Sequence, residues 1–330
     1  MTAGLGTLTK MQPILIFAAA LIGIAIGQAV FFSDNAGSLI EPALMVLLFF
    51  IFLKVDIREI GHSFRNVRFS STSVLINFIW TPFAAVLLGY AFLGGSVDMM
   101  IGFLMLLVTP CTDWYLVFTG MSKGNVPLGT SILPLNLVLQ VLLLPLYLFL
   151  FLGTGSSFDI GSILLSIVIV LAIPFVLANL VKVAVKAWGK KDSMDEKMDR
   201  HGDNLQLLFL CLAVVAMFAS CGGLITENPI VLVQMLIPLG IFFIVNFIIS
   251  RVVGKAIGLS FDDTTSLTFT TMARNSPLAL AIAVAAFPDS PLIALVLVIG
   301  PLIELPILSL TSAAVLRMRR KEHPEHDGTV

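Results

Sequence analysis

The sequence predicts an all-α membrane protein of ten transmembrane helices, arranged as two inverted five-helix repeats with helices 4 and 9 broken at mid-span and crossing. Three observations carry that expectation. Hydrophobic residues make up 58% of the 330-residue chain and charged residues only 12%, with a mean hydropathy of +1.03. A soluble domain carries about 25% charged residues. Apolar segments long enough to span recur ten times, and all but one of the 19 Lys and Arg residues fall on one side of them.

The spans are placed near 13–32, 38–53, 70–93, 98–121, 127–152, 160–187, 205–222, 230–257, 264–287 and 291–316. One set of connections carries Lys10; Lys54, Arg58, Arg65 and Arg68; Lys123; Lys182, Lys186, Lys190, Lys191, Lys197 and Arg200; Arg251 and Lys255; and Arg317, Arg319, Arg320 and Lys321. The other set, around Asp34, Asp98, Asp159, Glu227 and Asp289, carries none. The positive-inside rule then puts both termini in the cytoplasm of a multi-pass cell-membrane protein. The first apolar run lacks a small-residue cleavage site and reads as a span, not as a signal peptide.

Segment order gives the domain organisation. Residues 1–187 hold the first repeat plus span 6, 188–204 form a charged cytoplasmic linker, 205–316 hold spans 7–10, and 317–330 form a polar tail expected to be disordered. The repeats run over about 11–153 and 160–316. Five spans in each make the second insert upside down relative to the first, a pattern of secondary transporters. All four histidines (His62, His201, His323 and His326) lie in cytoplasmic segments without ligand spacing, so no metal site is expected. No cofactor motif or P-loop occurs, and no basic patch suits nucleic acid. The partners expected are the lipid bilayer, protons and a small inorganic or organic solute.

The exceptional cation is Arg274, inside span 9 in the run Met272-Ala273-Arg274-Asn275-Ser276-Pro277. A guanidinium at bilayer depth is expensive and marks function. Span 4 is interrupted correspondingly at Thr109-Pro110-Cys111-Thr112-Asp113, and Cys111 and Ser276 are 165 residues apart, half the chain. Proline removes an amide donor, and the freed backbone groups must be satisfied by protein, water or a ligand. A structural kink would explain one break. Two matched breaks, each with an ionisable residue, indicate a site. Asp113 is the expected partner of Arg274. Cys111, Thr112, Asp113, Arg274, Asn275 and Ser276 are the expected substrate contacts, with Cys111 a soft ligand for a metalloid.

Glu304, in span 10, is a third deep charge with apolar neighbours. It and Asp113 are the candidate proton carriers, the alternative for Glu304 being a hydrogen bond between helices. Asn136 and Gln140, one turn apart on span 5, and Thr270 are candidate cavity-lining residues. Cys211 and Cys221 share span 7, about 15 Å apart along a helix. They cannot pair with each other, and both read as small core residues. An Asn-Phe-Ile run occurs at Asn77 and again at Asn246, at depths that do not fit inversion, and reads as coincidence.

On these residues the chain resembles the bile acid:sodium symporter superfamily. The resemblance covers the topology of ten spans with crossing breaks. As motifs it rests on Phe118-Thr119-Gly120-Met121-Ser122-Lys123-Gly124-Asn125 and on Asn275 followed by Leu280-Ala281-Ile282-Ala283-Val284-Ala285. Cys111, twelve residues before Lys123, falls where the arsenite-efflux branch has its thiol. The sodium-coupled pattern is broken: its acidic residue, its amide and its Ser-Asn pair correspond here to Thr270, Arg274 and Tyr115-Leu116. The arsenite branch's Arg and Glu correspond to Pro110 and about Leu278. The resemblance implies a secondary carrier, expected to couple proton movement to arsenite or antimonite efflux. A sodium-independent carrier of a small organic anion, with Arg274 as counter-ion, is the runner-up. An intramembrane hydrolase is weaker, because no histidine lies in a span.

Overall fold

The computed structural model describes residues 7–27, 29–54, 66–112, 114–152, 160–188, 202, 204–220 and 230–322. Among them the helices are α1 (Thr7–Ile26), α2 (Val30–Lys54), α3 (Val67–Leu93), α4 (Val97–Val108), α5 (Trp114–Met121), α6 (Val126–Leu152), α7 (Ile160–Ala187), α8 (Asn204–Ser220), α9 (Ile230–Ala256), α10 (Phe261–Met272), α11 (Ser276–Ala286) and α12 (Pro291–Glu322). The chain is all-α and membrane-embedded. Four of these helices, α3, α6, α9 and α12, are each long and apolar enough to cross a bilayer unaided. Spans 4 and 9 are each two short helices, α4–α5 and α10–α11, divided where the sequence places its breaks.

The polarity of the bundle is inside out. α3 turns Leu75, Ile79, Phe83 and Leu87 outward, and α9 turns Ile237, Ile244, Ile248 and Val252 outward. α10, in contrast, buries Thr264, Thr265, Ser266, Thr268, Thr270 and Thr271. In hydrocarbon, polar side chains face the bundle interior, and their hydroxyls back-bond to carbonyls one turn earlier, as Thr268 and Thr271 do. α4 packs between α3 and α12, and α10 packs on α9 and α5. α4 meets α12 at Gly102, where a Cβ would stand 2.9 Å from the Ile293 carbonyl oxygen, so only glycine permits that approach.

A fixed register relates the halves. An antiparallel bridge joins Pro110 to Arg274, 164 positions apart. The same offset carries α4, 97–108, onto 261–272, the bounds of α10. It carries the α4 cap Ser96, which accepts from the Met99 amide, onto Ser260, which accepts from the Asp263 amide and caps α10. It also sets α3 against α9, α5 within α11, and α6 against α12 to within a residue at their starts. This register is one less than the 165 that separates Cys111 from Ser276.

Two sequence boundaries shift. The tail expected from 317 onward continues α12 as helix to Glu322. Its Arg319 donates through Nη1 to Asp262 Oδ1 and to the Lys123 carbonyl, each at 2.7 Å, which clasps α12 to the start of α10 and the α5–α6 turn. α10 begins at Phe261, three residues before the expected span, because Ser260 caps it and Asp262 and Asp263 complement its amide end. Most of the linker 188–204 and residues 323–330 lie outside the described residues.

Candidate functional site at the helix crossing

The two breaks pair with each other through backbone. The Cys111 amide donates to the Ala273 carbonyl at 3.0 Å, and the Asn275 amide donates to the Thr109 carbonyl at 2.7 Å. This two-rung antiparallel pairing satisfies groups that Pro110 and the interrupted helices set free. Around it lie four helix ends. The carbonyl ends of α4 and α10 and the amide ends of α5 and α11 converge on residues 109–112 and 273–276.

Arg274, 2% exposed, fills the carbonyl ends. Its Nε donates to the Met272 carbonyl at 3.0 Å, and Nη1 donates to the Leu107 carbonyl at 2.8 Å. Nη2 donates to Asn77 Oδ1 at 3.3 Å and to the Thr271 carbonyl. The Phe242 ring covers the guanidinium, 5.0 Å from its centroid. A cation at two negative dipole ends is electrostatically sensible, and its fork geometry suits several fixed acceptors.

The last four carbonyls of α10, which helical geometry leaves without a partner, are all bonded. Phe269 O accepts the Ala273 amide. Thr270 O accepts Asn77 Nδ2 at 3.2 Å. Thr271 O accepts Asn246 Nδ2 at 2.9 Å as well as Arg274, and Met272 O accepts Arg274. Asn246 is itself fixed by the Trp80 indole, whose Nε1 donates to its Oδ1 at 2.9 Å. Asn77 and Trp80 belong to a π-helical turn, Ile76–Trp80, within α3. The repeated Asn-Phe-Ile run is therefore no coincidence in effect: both asparagines hold the broken end of span 9. The intramembrane amides themselves, 0% exposed, were the available signal.

Glu304 also belongs to the crossing. It is 1% exposed, and its Oε1 accepts the Arg274 backbone amide at 2.9 Å. The interhelical hydrogen bond considered from sequence thus exists, and it places the carboxyl beside the break. Asp113, the expected partner of Arg274, lies outside the described residues.

The amide ends carry the other predicted residues. Cys111 is buried, and its Sγ accepts the Trp114 amide at the start of α5 at 3.3 Å. Asn275 caps α11, its Oδ1 accepting the Leu278 amide at 3.3 Å, and its Nδ2 donates to Thr112 Oγ1 at 3.5 Å. Ser276 is buried with no hydrogen-bond partner on Oγ. The fixed register makes Cys111 and Asn275 equivalent, one thiol and one carboxamide each capping a half-helix. Of the candidate lining residues, Asn136 donates through Nδ2 to Thr270 Oγ1 at 3.4 Å, while Gln140 is buried beyond it on α6. Cys211 sits half-buried on α8, and Cys221 lies outside the described residues.

The chain is 25% identical to the arsenical-resistance protein Acr3 of Corynebacterium glutamicum, over 93% of this chain and 88% of that one. It is 22% identical to the arsenical-resistance protein Acr3 of Alkaliphilus metalliredigens, over 98% and 96%. An uncharacterized transporter of Synechocystis is 24% identical over 92% and 88%. Residues 41–228, more than half of the chain, match the Sodium Bile acid symporter family, and the chain is a multi-pass membrane protein belonging to that family.

Proposed function

We propose that this chain is a proton-coupled efflux carrier for arsenite and antimonite, with its solute site at the crossing. The observation that carries the reading is the buried Cys111 thiol at the amide end of α5, opposite Asn275 on α11. Neutral arsenous acid offers three hydroxyls and a thiol-seeking centre. Exchange of one hydroxyl for the Cys111 sulfur releases one water, and hydrolysis reverses it. A single thiol holds such a solute weakly, which suits release. Thr112, Asn275 and Ser276 supply hydroxyl and amide partners beside it, and two related Acr3 proteins carry arsenical resistance in their names.

The fixed register supports two inverted five-span repeats about the crossing, with both termini cytoplasmic in the cell membrane. Asp113 and Glu304 are the proton-carrying groups in this reading, and Asp113 pairs with Arg274 in one transport state. The occupancy of both carbonyl ends by the guanidinium supports sodium independence, because it takes backbone oxygens that a hard cation needs. It also makes Arg274 a poor counter-ion for an organic anion, since four of its donor bonds are already committed.

The test is expression in cells lacking their own arsenite efflux. Resistance and lowered metalloid accumulation are expected, abolished by a protonophore and unchanged when sodium is replaced. Unaltered accumulation, alongside transport of a member of an organic-anion panel, overturns the reading.

A further inference from the structure

α6 carries a buried polar pair that is incompletely hydrogen-bonded among the described residues. Gln140 is 0% exposed, and neither its Oε1 nor its Nε2 has a hydrogen-bond partner. Asn136, one turn earlier, is equally buried. Its Nδ2 reaches Thr270 Oγ1, but its Oδ1 is unpartnered. α6 packs against α4, α5 and α10, three of the four half-helices at the crossing. Three unpartnered polar atoms on adjacent turns of the buried face of α6 carry a desolvation cost that an apolar residue would avoid.

The fixed register explains why Gln140 is left without a partner. Offset by 164, Gln140 is equivalent to Glu304, and Pro110 is equivalent to Arg274. Glu304 is satisfied by the Arg274 backbone amide. Proline has no amide hydrogen, so Pro110 cannot make the equivalent bond to Gln140. One half of the molecule thus closes its polar group on the break, and the other keeps a polar group whose internal donor is missing.

We propose that Gln140, with Asn136 Oδ1, is a specificity subsite that takes a hydroxyl group of a neutral, multiply hydroxylated solute. A carboxamide donates and accepts at once, as a hydroxyl does. Being uncharged, it recognises such a solute without holding it by charge. This rests on the metalloid reading of the crossing and adds to it a contact from α6, which packs on three of its half-helices.

The experiment uses the full chain reconstituted in liposomes, with arsenous acid and glycerol, two uncharged solutes of three hydroxyls each, as separate transport probes. The variants are Gln140→Leu and Gln206→Leu, the latter a buried glutamine at the start of α8 whose Nε2 is also unpartnered. Gln140→Leu is expected to leave the melting temperature unchanged or raised, because it removes an unsatisfied group, and to raise the KM for arsenous acid about tenfold, the worth of one lost hydrogen bond. Gln206→Leu is expected to leave KM unchanged. A KM within twofold of wild type for Gln140→Leu overturns the subsite. So does a melting temperature lowered by several degrees, which would show an internal structural partner. If the wild-type chain moves no arsenous acid, the metalloid reading fails by itself. The subsite then stands only if Gln140→Leu raises the KM for glycerol, and it falls if glycerol is unaffected or not carried.

Discussion

The two breaks are built on one plan and held in different ways. In the first, the carbonyl end of α4 is closed locally: the Thr109 hydroxyl donates to the Met105 carbonyl at 2.9 Å and to the Leu106 carbonyl at 3.1 Å. In the second, the end of α10 is held by side chains from α3 and α9 and by Arg274. The guanidinium then reaches across to Leu107 in the first break. The second break is therefore the anchored one, and the first is the one free to carry a thiol. Register partners make the contrast direct: Pro110 faces Arg274, and Cys111 matches Asn275.

The largest expected effect comes from removing the anchor. Arg274→Gln leaves carbonyls of both half-helices and Asn77 Oδ1 without their cation. A loss of roughly 3–5 kcal/mol and of all transport is expected, by analogy with breaking a buried charged network. Arg274→Lys should fail almost as badly, because one ammonium cannot serve acceptors spread over two helices. Melting of the detergent-solubilised protein checks this, and a wild-type melting temperature for Arg274→Gln would remove the contrast between the breaks.

Cys111→Ser separates chemistry from support. Metalloid transport should disappear while the fold loses less than about 1 kcal/mol, since a hydroxyl can still accept the Trp114 amide. Cys211→Ser should change neither readout. Normal efflux by Cys111→Ser in vesicle assays would move the site away from the first break.

Smaller effects grade the support itself. Asn77→Ala removes an acceptor for Arg274 and a donor to Thr270 O, and should cost about 2–3 kcal/mol. Asn246→Ala removes a donor to Thr271 O, which keeps Arg274, together with the acceptor of the Trp80 indole, and should cost about 1–2 kcal/mol. Equal losses for the two would mean that the guanidinium contact is worth no more than the indole bond. Thr109→Val, acting on the locally closed end, should cost about 1 kcal/mol or less in the same melts.

The breaks themselves were legible in the sequence because proline, a thiol and a guanidinium are all conspicuous in apolar runs. The division of two apolar segments at Pro110 and Arg274 followed from that. Glu304 was visible as a buried charge, but its partner was not, since a backbone amide leaves no trace in residue type. Asn77 and Asn246 were misread for a related reason. Their spacing of 169 does not match the register of 164, and their role comes from two different helices meeting one carbonyl end, which no single-helix pattern encodes. The end of α12 was misjudged because helix propensity and the Arg319 clasp outlast hydropathy.

The π-helical turn Ile76–Trp80 has a further consequence, best put as a matter of phase. One residue is wound in beyond the α-helical count, so the two stretches of α3 are offset by about 100° around its axis. Asn77 and Trp80 can then address α10 and α9 from one turn, while Leu75 and Ile79 stay on the lipid side. Deleting a single residue within 76–80 would leave hydropathy, length and charge placement untouched. It would restore the plain helix, swing one half of α3 by about 100°, and take either the asparagine or the tryptophan off its target. A change invisible to every measure of membrane topology would thereby unfasten the anchored break.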